Sequence, residues 1–324
     1  MFSAMSVTFI SLTTGWALGT VPCGTGSCLQ VWKTNDSGRT WAEVPAPPAP
    51  IAQGSDGPGV REIRFANADD GWIFLPDLWV THDGGAHWTR QSVGQVLALE
   101  AASGTVHAAV LAADQPQFAV LTSPVHGDAW QPSATKVDAG AGPVPRAQLV
   151  LHGTAGWLMI VNRTVAGGAR LAGGRWIGWQ PPCMDGRGAV ELAASSASDL
   201  VAVCNEGEWN DRPHVARAYM SHDGGSSFGL VPTPLPIQGA GGLGAARSDV
   251  WVVGSTDSDS RAILLRTSDG GRTWRTVHRD AQGRWLDLGF TSPQQGVAIS
   301  EGTTGRLLMT FDTGQTWAPV APTR

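Results

Sequence analysis

One short cassette recurs along this 324-residue chain: an apolar strand, a small turn built on Asp and Gly, then an aromatic residue. The clearest copies are Thr34-Asn35-Asp36-Ser37-Gly38-Arg39-Thr40-Trp41, Ser268-Asp269-Gly270-Gly271-Arg272-Thr273-Trp274 and Phe311-Asp312-Thr313-Gly314-Gln315-Thr316-Trp317. Two others run from Thr81 to Trp88 and from Ser221 to Phe228, and His126 to Trp130 is a weak sixth. Repeats at a fixed period specify an architecture before any single residue specifies a chemistry. The anchors Trp41, Trp88, Trp130, Phe228, Trp274 and Trp317 leave one double-length gap, and Trp179 falls inside it, marking a degenerate copy. Seven units of about 40–50 residues follow, the scale of one propeller blade.

Each unit reads as four short strands. In the second, Val60–Phe65 is the inner strand, Gly71–Phe74 the second, Leu78–Thr81 the third and His87–Arg90 the outer. Gly-Trp or a similar pair opens the second strand again at Gly15, Gly156, Val250 and Gly296. Gly 42, Pro 21 and only 15% charged residues suit many short strands joined by tight turns, and no helical periodicity is sustained anywhere. The fold class is therefore all-β: a seven-bladed propeller of four-stranded antiparallel blades, closed into a ring by blade stacking. One domain fills residues 1–324, with blades at approximately 6–45, 59–92, 96–133, 146–181, 188–232, 242–278 and 284–321. Because Ser6–Leu12 reads as the first blade's own inner strand and Thr316–Val320 as the last blade's own outer strand, no strand is expected to cross between the termini.

The cassettes resemble the Asp-box, or bacterial neuraminidase repeat, over nearly the whole chain. The Gly-Trp second strands are similar to those of secreted bacterial propellers akin to photosystem II stability and assembly factors. That resemblance implies a sialidase-like propeller fold, but the families that share it include sialidases, other glycosidases, sorting receptors and non-catalytic assembly factors. The cassette residues have a structural role that needs no ligand. Asp accepts hydrogen bonds from the backbone just beyond it, Gly supplies positive φ, and the aromatic packs on the sheet. This assignment covers Asp36, Gly38 and Trp41; Asp83, Gly85 and Trp88; Asp128 and Trp130; Asp223, Gly225 and Phe228; Asp269, Gly271 and Trp274; and Asp312, Gly314 and Trp317.

A net charge of −5 and the lack of any basic stripe argue against nucleic acid as partner, and no run is long and apolar enough to span a membrane. The four cysteines lack zinc-site or redox spacing. Local pairing, Cys23 with Cys28 and Cys183 with Cys204, is the simplest of three connectivities and points to an oxidising, extracytoplasmic home. Met1–Met5 lacks a basic start and cleavage pattern, so a signal or anchor is expected to be absent from this chain.

By topology the cassette turns share one face of the ring, here called the bottom. Blade connections and second-to-third-strand loops share the top, where both cysteine pairs fall. The longest top insertion holds Glu206, Glu208, Trp209, Arg212 and His214, an aromatic among charges that suits contact with sugar or protein. Near the top ends of inner strands lie Arg61, Glu62, Arg146, Arg187, Arg284 and Asp287, with Asp257, Asp259, Glu301 and Arg306 nearby. These are the candidate binding residues at the channel mouth; none is assigned a catalytic role.

A sialidase needs an arginine cluster, a Tyr nucleophile with its Glu, and an Asp acid. The only tyrosine, Tyr219, precedes a bottom turn, and no Arg-Ile-Pro start motif occurs. A two-carboxylate glycosidase, using Glu62 or Glu206 with Asp287, stays open because carboxylate separations are not readable here. Gly239–Gly244 fits GxGxxG but precedes no helix, so it is read as a linker. Asp257-Ser258-Asp259 is a calcium-loop fragment without its remaining ligands, and Asn162-Arg163-Thr164 fits a glycosylation sequon. The expected function is a non-enzymatic, extracytoplasmic, monomeric scaffold that binds protein through its top face, without cofactor or metal. The alternative is a sialidase-like glycoside hydrolase or a carbohydrate-recognition propeller.

Overall fold

The computed structural model describes residues 1–324 apart from 53–57, 113–115, 143–144, 185–189, 207–214, 238–239, 258, 302–304, 321 and 323–324, and apart from the side chains of 206, 281 and 282. The described residues form seven four-stranded antiparallel sheets, each from four consecutive strands, and no helix. The sheets stand as blades around an axis, a seven-bladed β-propeller. The inner strands, in order, are Ser3–Phe9, Glu62–Phe65, Gln95–Ala102, Arg146–His152, Val190–Ala194, Gly242–Arg247 and Trp285–Phe290. Strand alternation divides their side chains. In the second blade Ile63 and Phe65 are buried between blades while Glu62 and Arg64 line the central channel.

A lone four-stranded sheet cannot cover its faces, so the core lies between blades. Each of the seven interfaces has its own apolar cluster. The second-strand tryptophans Trp16, Trp72, Trp157 and Trp251 are fully buried there. Trp16 stacks on Phe65 of the next blade, with ring centroids 3.8 Å apart. The Nε1–H of Trp16 and of Trp157 donates to the carbonyls of Gly84 and Gly224 in the next blade's turn, at 3.4 and 3.0 Å.

The repeated turn closes on itself by hydrogen bonds. Asp36 Oδ1 accepts from the Thr40 N–H at 2.8 Å and from Thr34 Oγ1 at 2.9 Å, and Oδ2 accepts from Thr40 Oγ1 at 2.6 Å. Thr34 Oγ1 in turn accepts from the Gly38 N–H at 2.9 Å. The same set recurs around Asp223, Asp269 and Asp312, and at Asp83 His87 Nδ1 stands in place of the hydroxyl. Each turn is also tied to the neighbouring inner–second turn of its own blade, as by Ser37 N–H to Thr13 O and Gly224 N–H to Ser198 O, both 3.0 Å. Gly225 needs its left-handed φ of +80°, and a Cβ there would sit 3.1 Å from Trp157 Nε1 of the preceding blade. The turns are therefore joints between blades as well as hairpin corners.

Three sequence expectations change. In the degenerate fourth blade the aromatic at the interface with the preceding blade is Trp176, buried with its Nε1 3.1 Å from His107 Nδ1, whereas Trp179 faces the following blade and donates to Gly225 O at 2.7 Å. The tight Gly173-Gly174 turn, both at positive φ, brings the chain into the outer strand sooner than an Asp turn does. From Gly242 onward the glycine run is the inner strand of blade six rather than a linker, because Gly242 and Gly244 admit the close approach of Leu288 and Phe290 from blade seven. At the weak copy, Asp128 does not accept the turn's hydrogen bonds among the described residues; its carboxylate lies 3.5 Å from His82 Nε2.

Blades seven and one meet without a shared strand. Phe2, Ala4 and Val7 pack against Val297, Ile299, Leu307 and Met309. Backbone contacts add to this seam: Ala4 N–H to Gly305 O at 3.1 Å and Gly305 N–H to Ser3 Oγ at 2.8 Å.

Candidate functional site: the central channel

The inner strands enclose a channel of about 830 Å³. Its walls differ. Blades seven, one, two and three contribute Asp287, Thr8, Glu62, Arg64 and Glu100, and blades four and five add Arg146, Gln148 and Glu191. Among the described residues blade six contributes Ala240–Ala245, a wall of backbone and uncharged apolar side chains.

Arg64 organises the charged wall. Its Nε donates to Glu100 Oε1 of blade three at 2.6 Å, and its Nη1 donates to Ser6 Oγ of blade one at 3.2 Å and to Ile63 O at 2.8 Å. Glu62 Oε2 lies 3.5 Å from the same Nη1 and accepts from Ser6 Oγ at 2.8 Å. Asp287 Oδ2 accepts from the Val7 N–H at 3.3 Å. Across the channel, Gln148 links blades four and five: its Oε1 accepts from Leu192 N–H at 2.9 Å and its Nε2 donates to Leu192 O at 3.0 Å, with Glu191 Oε2 at 3.4 Å.

Withdrawal from water changes what these acids do. Burial, opposed by Arg64 and reinforced by the negative charges of Asp287 and Glu100, pushes the Glu62 carboxyl up to about 7. Burial likewise raises Asp287 and Glu191, against the pull of Arg64 and Arg146 respectively. For Arg64 burial disfavours the charge, but Glu100, Asp287 and Glu62 together outweigh it and raise its pKa. A carboxyl group such as Glu62, which exchanges its proton near neutrality inside a cavity, is suited to proton transfer.

Of the sequence candidates, Glu62, Arg146, Arg284 and Asp287 line the channel. Arg61 does not line it; its backbone N–H bonds Phe74 O at 2.9 Å. Arg284 and Glu301 form an exposed bidentate pair at the top of blade seven. Arg306 pairs with Asp280, and Asp257 binds Arg261 and Arg279, so neither belongs to the channel. Arg187, Glu208, Trp209, Arg212, His214 and the Glu206 side chain lie outside the described residues. The candidate set omitted Arg64, Glu100 and Glu191. The signal for them was a charge within an otherwise apolar inner strand, as in Gln95-Val96-Leu97-Ala98-Leu99-Glu100 and Val190-Glu191-Leu192.

Other predicted features are also placed. Cys23–Cys28 and Cys183–Cys204 are disulfide-bonded, with Cα atoms 5.7 and 5.8 Å apart, the second tying the connection into blade five to that blade's second strand. The Asn162 sequon is unsuited to a glycan, since the side chain is buried and Nδ2 donates to Ala139 O at 2.8 Å and Gly142 O at 2.7 Å. On the bottom face His82 Nδ1 bonds the buried Asp70 at 2.6 Å and His222 Nδ1 bonds Asp199 at 2.7 Å, bracing the turns they belong to. No group among the described residues has the arrangement of a metal site, and no described helix is long and apolar enough to cross a membrane.

No protein-family model matches this chain, and no curated protein sequence does. Solved structures do match in fold. A structure of YCF48 bound to a D1 peptide is 18% identical, covers 95% of this chain and 93% of its own, and superposes with a TM-score of 0.63. YCF48 from Cyanidioschyzon merolae is 14% identical over 96% of this chain and 95% of its own, with a TM-score of 0.61. A GH74 xyloglucanase from Xanthomonas campestris is 15% identical, with a TM-score of 0.55; the match covers 99% of this chain but 61% of the xyloglucanase. At these identities the likeness is one of fold.

Proposed function

We propose that this protein is a non-enzymatic, extracytoplasmic Asp-box propeller that binds a segment of a partner protein at the top face and upper channel. The observation that carries the proposal is the polar, asymmetric channel within a fold that also holds a peptide in the YCF48 structure. The wall carries Glu62, Glu100, Glu191 and Asp287 against Arg64, Arg146 and Arg284, the last neutralised by Glu301, so the complementary segment bears basic side chains, with small apolar residues toward blade six. Two disulfides in so short a set of cysteines favour an oxidising compartment.

Fluorescence anisotropy with matched basic, neutral and acidic ten-residue peptides tests this. Binding is expected for the basic set only, weakened by salt and lowered about tenfold by Glu191→Gln, as for removal of one desolvated charge contact. Equal binding of all three sets, or of none, sinks the proposal.

A second function is supported by Glu62, a carboxylic acid retained near neutrality beside the Asp287 carboxyl, which is equipment for general acid catalysis of glycoside hydrolysis. Turnover of fluorogenic glycosides, including xyloglucan fragments and sialosides, abolished by Glu62→Gln would replace the scaffold assignment. Glycan binding without turnover would favour carbohydrate recognition.

A further inference from the structure

The Arg64 network spans the place where the two ends of the chain meet. Arg64 of blade two reaches Glu100 of blade three and Ser6 of blade one. Ser6 Oγ also donates to Glu62 and accepts from the Ile63 N–H at 3.2 Å. The next residue on that strand, Val7, donates its N–H across the seam to Asp287 of blade seven. No strand is shared at this junction, so it is held by side-chain packing, by the bonds of Gly305 to Ser3 and Ala4 and of Gln295 to Leu12 O, and by this network.

We propose that the network is a proton-operated latch on the ring: with Glu62 protonated the seam between blades seven and one is closed, and release of that proton to channel water loosens it. This goes beyond partner binding and does not depend on it.

The charge balance gives the reason. Around Glu62, the inner and second strands of blade one and the second strand of blade two bring no acid or base; blade one's Lys33 and Glu43 stand on its third and fourth strands, away from the channel. Blade three brings Glu100, blade two Arg64, and blade seven Asp287, while Arg284 at the start of that strand is held by Glu301. Arg146 and Glu191 lie on the opposite wall. One guanidinium thus serves three carboxyls, and it is already bonded to Glu100. When Glu62 ionises, the new charge acts on Asp287, whose carboxylate is held by the backbone N–H groups of Val7 and Leu288. Repulsion therefore falls on the Val7–Asp287 contact. Burial is the larger cause of Glu62's displacement from 4.5 to about 7, and the sign follows from it. The stabilisation is complete below about 4.5 and is lost as pH rises from there through about 7.

Hydrogen exchange on the full chain at pH 6 and pH 8, corrected for intrinsic exchange, tests the latch. The seam strands of residues 3–9 and 285–300 are expected to open about tenfold more often at pH 8, while the interface between blades five and six, where blade six brings no charge to the channel, is unchanged. Glu62→Gln keeps the seam protected at both values. Asp287→Asn, which retains an acceptor for Val7, makes the rise smaller and ends it at lower pH, and it serves if the first variant does not fold. Equal seam protection at pH 6 and 8, a rise shared by every interface, or a rise undiminished in both variants overturns the latch.

Discussion

The bottom turns and the channel wall use the same side chains for opposite purposes. Asp36, Asp83 and Asp269 sit at exposed corners, where hydroxyl, histidine and backbone donors surround each carboxylate and hold it near 2. Glu62, Asp287 and Glu191 stand on inner strands, where burial outweighs the arginines and raises them. The turns repeat, donor for donor, around the ring. The wall does not: blade six offers glycine where blade two offers Glu62 and Arg64. What repeats serves the architecture, and what breaks the repeat gives the channel its charge pattern.

The largest test strikes the joints. Trp157→Ala empties a fully buried interface and removes the bond to Gly224, and a loss of about 3–5 kcal/mol in denaturant unfolding is expected. A loss below about 1 kcal/mol would mean that the turns are not inter-blade joints. Gly225→Ala combines a left-handed backbone with crowding against Trp157 and should cost roughly 1–3 kcal/mol, whereas Gly178→Ala, with open space around it, should be near neutral.

Acid titration separates the two regions by sign. The turn carboxylates have folded pKa values below 3.8, so their stabilisation is present above that value and disappears as pH falls toward 2. Unfolding followed from pH 4 to 2 should become shallower when Asp83 and Asp269 are changed to Asn, while Glu62→Gln, whose effect is already complete there, leaves that limb nearly unaltered. The smallest effect belongs to Arg284→Ala. Its side chain is 68% exposed in the pair with Glu301, and the loss of stability should be less than about 1 kcal/mol. A larger loss would extend the stabilising network out to the top rim.

The blade number and the corners at Asp36, Asp83, Asp223, Asp269 and Asp312 were legible because the cassette carries several constraints at once: an acceptor, a residue tolerant of positive φ, and an aromatic, at constant spacing. Trp176 was hidden because Gly173-Gly174 makes a turn by another route, and the aromatic spacing alone pointed to Trp179. The glycines of blade six look like a connection in isolation. As a strand they pack on blade seven, where a Cβ at Gly242 or Gly244 would crowd Leu288 and Phe290 at 3.2 and 3.0 Å. Half the channel wall was missed for a related reason. Glu100 and Glu191 are single charges in apolar strands, and nothing local says that they share a cavity with Glu62.

The linear order of residues determined that the chain closes into seven like sheets and that its acidic corners are hairpin joints, since those features depend on contacts within a few residues. Tertiary structure alone decided which charges meet. Ser6, Glu62, Arg64, Glu100 and Asp287 come from four blades and nearly the full length of the chain. The protonation of Glu62 and Asp287 arises from their mutual distance and from burial along the channel, quantities that exist only once the ring is closed.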